Sequence, residues 1–208
     1  MRSHGYCREN HRESIVKFLL AGLFCICASA PACADPRAEV QQGFAQILSA
    51  GGFHAYAQGH LFGPDMPTMS GDVDVIFPDR VHARTDEMEF IAMPDRAWIS
   101  ALGIWTATDR SMLPITRFDP AAMRQAIASI HDVRVEGTAK TSQCTAHVYR
   151  FRASGRLPGA SANGDIRTWI CDGNGRLARL EANDVSSGER VILDFDWSRR
   201  PEVRAPRD

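Results

Sequence analysis

From Ser70 the chain alternates with a period of two: Val73, Val75 and Phe77 fall on one side and Asp72, Asp74 and Ile76 on the other, until Pro78-Asp79 breaks the run. That period belongs to a strand with one buried face. Similar segments fill most of the chain. Residues 53–62 are rich in aromatic and small side chains and end at GPDMP; 80–85, 87–92, 97–101 and 104–108 are short and divided by turn-forming residues; 133–140, 144–153, 165–171, 176–182 and 190–197 follow. Strands this short on tight connections pair antiparallel, since a parallel neighbour needs a crossover of roughly a dozen residues.

Two segments change the period. After Asp35-Pro36, Val40, Phe44, Ile47 and Leu48 recur at helical spacing until Gly51-Gly52; after Asp119-Pro120, Met123, Ile127 and Ile130 do the same before His131. Both starts pair a capping aspartate with proline at the first helical position. Residues 109–118 have no clean period and read as a loop. The expected architecture is α+β: a long antiparallel meander with two amphipathic helices. A sheet of about ten strands curls, and helices then close its concave side. Such an inner face is a filled core or the wall of an apolar pocket, and the pattern is the same for both.

The first 34 residues follow a different plan. Arg2, Arg8, Arg12 and Lys17 make a basic beginning, FLLAGLFCICASA runs apolar, and Ala32-Cys33-Ala34 supplies an A-x-A cleavage site, so 1–34 is expected to be a signal peptide removed before Asp35. The run is too short for a stable membrane span. Pro31 and Ala30 ahead of Ala32-Cys33 favour free secretion over a lipid anchor.

Export changes both charge and cysteine arithmetic. Removing four basic and two acidic residues from 24 and 25 leaves 20 against 23, a net charge of −3, with no basic patch for nucleic acid. Of six cysteines only Cys144 and Cys171 stay. Two cysteines in an exported chain most often form one bridge.

The stretch TWICDGNGRL around Cys171 admits three readings. A calcium loop starting at Asp172 would have Arg176 at its fifth position and Leu177 where glycine is required. A reactive cysteine would lie beside anionic Asp172, which raises rather than lowers a thiol pKa. A hairpin fits better, because Asp172-Gly173 and Asn174-Gly175 suit turns with positive φ. If 144–153 and 165–171 pair around a loop centred near Pro158, Cys144 lies opposite residue 171 or 172, and a Cys144–Cys171 disulfide is expected.

Little else points to catalysis. No HExxH, paired CxxC, GxSxG or glycine-rich phosphate loop occurs. His54, His60, His82, His131 and His147 read as scattered or satisfied histidines, and Asp72/Asp74 and Asp194/Asp196 as solvated strand faces. No metal or cofactor is expected.

GDVDVIFPDRVHAR from Gly71, EFIAMPDRAWISALGIW from Glu89, the Tyr149 strand, Trp169 with its following glycine turn, Arg179 and a last strand near Pro201 follow one another in a familiar order. In this the chain resembles the LolA/LppX superfamily of envelope lipoprotein carriers and lipid-binding proteins. The resemblance covers most of 35–201. It implies one domain over 35–200, a strongly curved half-barrel closed on its concave side by two or three helices, an apolar cavity for acyl chains, and no catalysis; the tail, 201–208, is expected to be loose from its composition, since the stretch from Ser198 holds two prolines and four arginines. The expected lining is Val73, Val75, Phe77, Phe90, Trp98, Tyr149, Phe151, Trp169, Leu193 and Phe195. The expected partner is a lipid or the acyl chain of a lipoprotein in the periplasm. The alternative is a ligand-free structural or regulatory envelope module that acts through a protein partner.

Overall fold

Two helices begin as the sequence specifies. The computed structural model describes residues 35–62, 68–113, 118–155, 157–158, 164–183 and 190–206; the expected signal peptide lies outside them. Helix α1 is Pro36–Ser49, capped by the Asp35 carboxylate, which accepts from the Arg37 N–H at 3.0 Å. It ends where Gly51 takes φ +75°, a conformation glycine adopts without a Cβ penalty. Helix α2 is Pro120–Ala128, and Asp119 accepts from the N–H groups of Ala121 and Ala122. Each buries one stripe: Val40, Phe44 and Ile47 on α1, Met123, Ala126 and Ile127 on α2.

Among the described residues eleven strands form one open antiparallel sheet. In chain order they are β1 Gly52–Gly59, β2 Met69–Ile76, β3 Arg80–Thr85, β4 Met88–Ala92, β5 Ala97–Ala101, β6 Ile104–Thr108, β7 His131–Lys140, β8 Thr145–Arg152, β9 Asp165–Cys171, β10 Leu177–Asn183 and β11 Arg190–Phe195. Their order across the sheet is β6-β5-β4-β3-β2-β1-β11-β10-β9-β8-β7. The chain meanders from the middle to one edge, crosses the whole sheet, and meanders back until β11 pairs with β1. The long crossing carries α2.

Helix α1 lies across one half of the sheet. It contacts β1, β10, β9 and β7. Those strands span five strand spacings, about 24 Å, and the 14-residue helix, about 21 Å long, covers nearly the whole of that width.

Register sorts the side chains onto two faces. On the concave side, Val73 and Val75 of β2 face Ala55 and Phe53 of β1, and Ala55 and Ala57 face Phe195 and Leu193 of β11. Small residues opposite large ones let the rings of neighbouring strands interdigitate without voids. These residues and the buried stripes of both helices form one continuous core. A smaller cluster, Ala146, Val148, Trp169, Cys171 and Ala178, lies on the convex side of β8–β10.

Three expectations need correction. Trp98 pairs with Ile91 and Ala107, while Phe90 pairs with Ile99. Phe90 is in the inner core, so Trp98 is on the convex face. Trp169 alternates with Ile166 and Ile170, which are inner, and belongs to the convex cluster. On both strands each face carries apolar residues, so side-chain size did not mark the inside. The tail is also less loose than its composition implied: Val203 is buried, and Arg199, Arg200, Glu202 and Arg204 line a cleft with Asp74, His82 and Glu89 of the convex face.

Candidate functional site

Eight of the ten expected lining residues share the inner face. Val73, Val75, Phe90, Tyr149, Phe151, Leu193 and Phe195 are buried in the core, and Phe77 packs against it just beyond β2. They are covered by one another and by the helices. Phe62 and Phe118, which the periodicity did not single out, complete the layer, because each lies just outside a regular element and turns inward.

The rings are arranged in a line. Phe90 meets Phe62 at 4.7 Å between centroids, Phe62 meets Phe118 at 6.2 Å, Phe118 meets Phe53 at 6.0 Å and Phe53 meets Phe195 at 5.3 Å, all edge-on. Phe195 stacks on Trp197 at 6.2 Å. This file of six rings runs from β4 through the core to the end of the sheet where β1 begins and β11 ends. At that end a cleft of about 710 Å³ opens between the last turn of α1, Gly51-Gly52, Phe53, Trp197 and Pro201. Arg176, Arg199 and Arg200 stand round it, with Arg176 over the Trp197 ring at 5.4 Å. Trp197 donates its indole N–H to the Leu177 carbonyl at 2.6 Å, which fixes the ring in the cleft.

Polar groups flank the inner face at one further place. The Tyr149 hydroxyl donates to the Glu39 carboxylate of α1, and His147 lies 3.5 Å from Asp172. Burial, then the hydrogen bond to Glu39 and its charge, push the Tyr149 phenol well above its ordinary range. The group ties α1 to β8 and leaves Tyr149 protonated at any physiological pH.

The Cys144–Cys171 disulfide is present, with Cα atoms 5.7 Å apart. Its register differs from expectation. Cys171 pairs with Ala146, so Cys144 lies two residues beyond that pair and the bridge runs diagonally on the convex face. The turn after Cys171 is the expected hairpin: Gly173 and Gly175 have φ +83° and +64°, and Cys171 N–H donates to the Arg176 carbonyl at 2.8 Å.

The acidic pairs have definite partners. His54, 4% exposed, bonds Asp74 at 2.9 Å through Nδ1 and has Asp72 3.6 Å from Nε2. Arg179 bonds Asp194 and Glu181, each at 2.9 Å, and with Arg167 covers the Trp169 ring at 5.5 and 5.1 Å. The alternation of Arg167 with Trp169 was the available signal that this tryptophan faces outward. Among the described residues no three His, Cys, Asp or Glu side chains gather as a metal site, and no helix is long and apolar enough to cross a membrane.

No protein-family model matches the sequence, and no curated protein matches it. Solved structures do. The lipoprotein LppX of Mycobacterium tuberculosis superposes with a TM-score of 0.60 at 16% identity, covering 81% of this chain and 98% of that one. LprF from Mycobacterium bovis gives 0.58 at 12%, covering 82% and 96%. An open, curved antiparallel sheet with helices on its concave side, matched over nearly the whole of both those chains, is the LolA/LppX-like fold, and this chain has it.

Proposed function

We propose that this protein is an exported, periplasmic carrier or binding protein that holds a lipid, the acyl chain of a lipoprotein or another apolar ligand between its sheet and its helices, without catalysis. The observation that carries this reading is the file of rings from Phe90 to Trp197, which leads from the middle of the core to an open cleft. Edge-on and offset-stacked ring pairs each contribute about 0.5–1.5 kcal/mol beyond their buried area. Parting the five contacts of the file therefore costs about 2.5–7.5 kcal/mol. An acyl chain of about twelve methylenes gains about 10 kcal/mol on leaving water. Exchange of ring contacts for chain contacts is thus within reach of an ordinary lipid. The fold supports the reading, as does a disulfide that needs an oxidising compartment.

Native mass spectrometry of the protein purified from its own envelope tests it. A bound species of lipid mass, lost when the protein is delipidated, is the expected result. Protein that is consistently empty overturns the carrier reading.

One observation favours the second reading, a module that acts through a protein partner. Edge strand β6 carries no charge or proline, and at its tip Leu102 and Ile104 are 97% and 71% exposed. Such an edge is a template for a partner strand. Cross-linking from residue 104 in the envelope, with a single protein captured in place of lipid, would support that alternative.

A further inference from the structure

The arginine-rimmed cleft at the end of the ring file has a chemistry that a purely apolar ligand would not use. Its floor is Phe53 and Trp197, both on the file, and its rim is Arg176, Arg199 and Arg200. On the convex face Arg84 is held by Glu89, and Arg179 by Glu181 and Asp194. Among the described residues the three rim arginines form no ion pair. All three side chains are exposed, so their donors face water.

Within the cleft itself the opposing charges are few, while Arg199 and Arg200 also border the convex-face cleft that holds Asp74, Glu89 and Glu202. Asp196 lines the arginine-rimmed cleft, but its carboxylate accepts from the Ser198 hydroxyl at 2.6 Å and the Ser198 N–H at 2.9 Å. Those bonds, with the charge of Arg199 adding to them, hold its pKa below the usual carboxylate range, so Asp196 stays anionic and offsets part of the three rim charges. His54, also in the lining, is committed to Asp74. The C-terminal end of α1 adds a partial negative charge, which is blunted because the Gln46 carbonyl accepts from Ala50 N–H and the Ser49 hydroxyl, and the Leu48 carbonyl from Gly51 N–H. Gln46 also donates to the Asn174 carbonyl, so α1 and the turn that carries Arg176 are tied together at the rim.

We propose that this cleft is a headgroup site for an anionic amphiphile, in which Arg176, Arg199 and Arg200 bind a phosphate while its acyl chains enter along Phe53 and Phe195. This rests on the carrier reading and narrows it to phosphate-bearing lipids. Guanidinium forks match the tetrahedral oxygens of a phosphate in bidentate fashion. The volume, about 710 Å³, is that of a small-molecule site. A free anion would make no use of the aromatic floor, and an uncharged lipid would make no use of the rim.

Titration calorimetry of the delipidated, disulfide-bonded protein distinguishes these. The probes are a short-chain phosphatidate below its micelle concentration, a diacylglycerol with the same chains, and inorganic phosphate. The variant is Arg176→Gln/Arg199→Gln/Arg200→Gln, whose exposed positions leave the core untouched, with its urea midpoint measured alongside. Phosphatidate is expected to bind at least about tenfold more tightly than diacylglycerol, as one charge-assisted bond would give. The variant should lose that preference while retaining its affinity for diacylglycerol. Equal affinity for the two lipids, or a preference that survives in the variant, overturns the headgroup site and leaves the carrier reading standing. Inorganic phosphate bound as tightly as phosphatidate makes this a free-anion site and also overturns the proposal. If neither lipid binds, both readings fall.

Discussion

Tyr149 is the inner-face residue whose chemistry and packing are most tightly coupled. Its ring lies in the core and its hydroxyl reaches Glu39. The folded protein opposes ionisation of this phenol, so it keeps a proton that the unfolded chain releases near pH 10. Stability from this group is complete below about pH 10 and falls as pH rises beyond it. Tyr149→Phe should cost about 1.5–3 kcal/mol at neutral pH, a hydrogen bond to a charged acceptor, and should flatten the alkaline decline; urea titrations at neutral pH and at about pH 11 check both. The tryptophans allow a sharper test of the two faces. Trp169→Phe should lower stability, because the ring lies under Arg167 and Arg179, yet leave displacement of an apolar fluorescent probe unchanged. Phe53→Leu, which breaks the ring file at its centre, should weaken probe binding. Equal effects of the two on binding would put the ligand elsewhere. That Trp169 faced outward was legible only through its neighbour Arg167; the same strand offers Ile166 and Ile170 to the core, and a period of two tells which residues share a face without telling which face is inside.

At the scale of elements, the strands and helices were legible because each has a physical signature that needs no tertiary context. Asp-Pro starts, glycine stops and turn residues set their ends, and β3, β5, β6 and β9 match the periodicity residue for residue. Phe62 and Phe118 were not legible, since a side chain that enters the core from a loop leaves no period. Register was half legible. That Cys144 and Cys171 come within bridging reach follows from the hairpin, whereas the parity that puts both on one face and the two-residue offset of the bridge depend on where the hairpin closes. The sequence separation is 27 residues, and closing a loop of that size contributes about 3–4 kcal/mol on the chain-entropy model. The double variant Cys144→Ala/Cys171→Ala should therefore be less stable by that amount in urea unfolding, and the oxidised native protein should show no titratable thiol from this pair. Two free thiols would remove the bridge from the account of stability. The convex cluster around Trp169 should loosen with it, visible as faster amide exchange in β8 and β9 than in β1 and β2.

Across the whole molecule the two sheet edges are unequal. Edge β7 is protected in the usual ways: Arg134, Glu136 and Lys140 lie along it, and its pairing with β8 is twice interrupted, once next to Gly137. Edge β6, Ile-Trp-Thr-Ala-Thr, has none of these. Its turn compounds the contrast. Leu102 and Gly103 have φ +53° and +79°, the paired positive values of a type I′ hairpin turn. Asparagine followed by glycine is the residue pair that turn favours, and leucine there costs roughly 1 kcal/mol in backbone strain. The side chain recovers nothing in return, being 97% exposed. A leucine that suits neither its turn nor its solvent is explained if the tip meets an apolar surface when the protein works. Leu102→Asn should accordingly raise the urea midpoint, by about 0.5–1 kcal/mol in stability, and leave binding of the apolar probe unchanged, because Leu102 lines no part of the cleft at the ends of β1 and β11. It should also reduce concentration-dependent self-association in sedimentation, because an unguarded edge with an apolar tip invites a second strand. A variant less stable than the parent would show that Leu102 is held by packing within its own chain, and the exposed edge would then be an incidental feature of the turn.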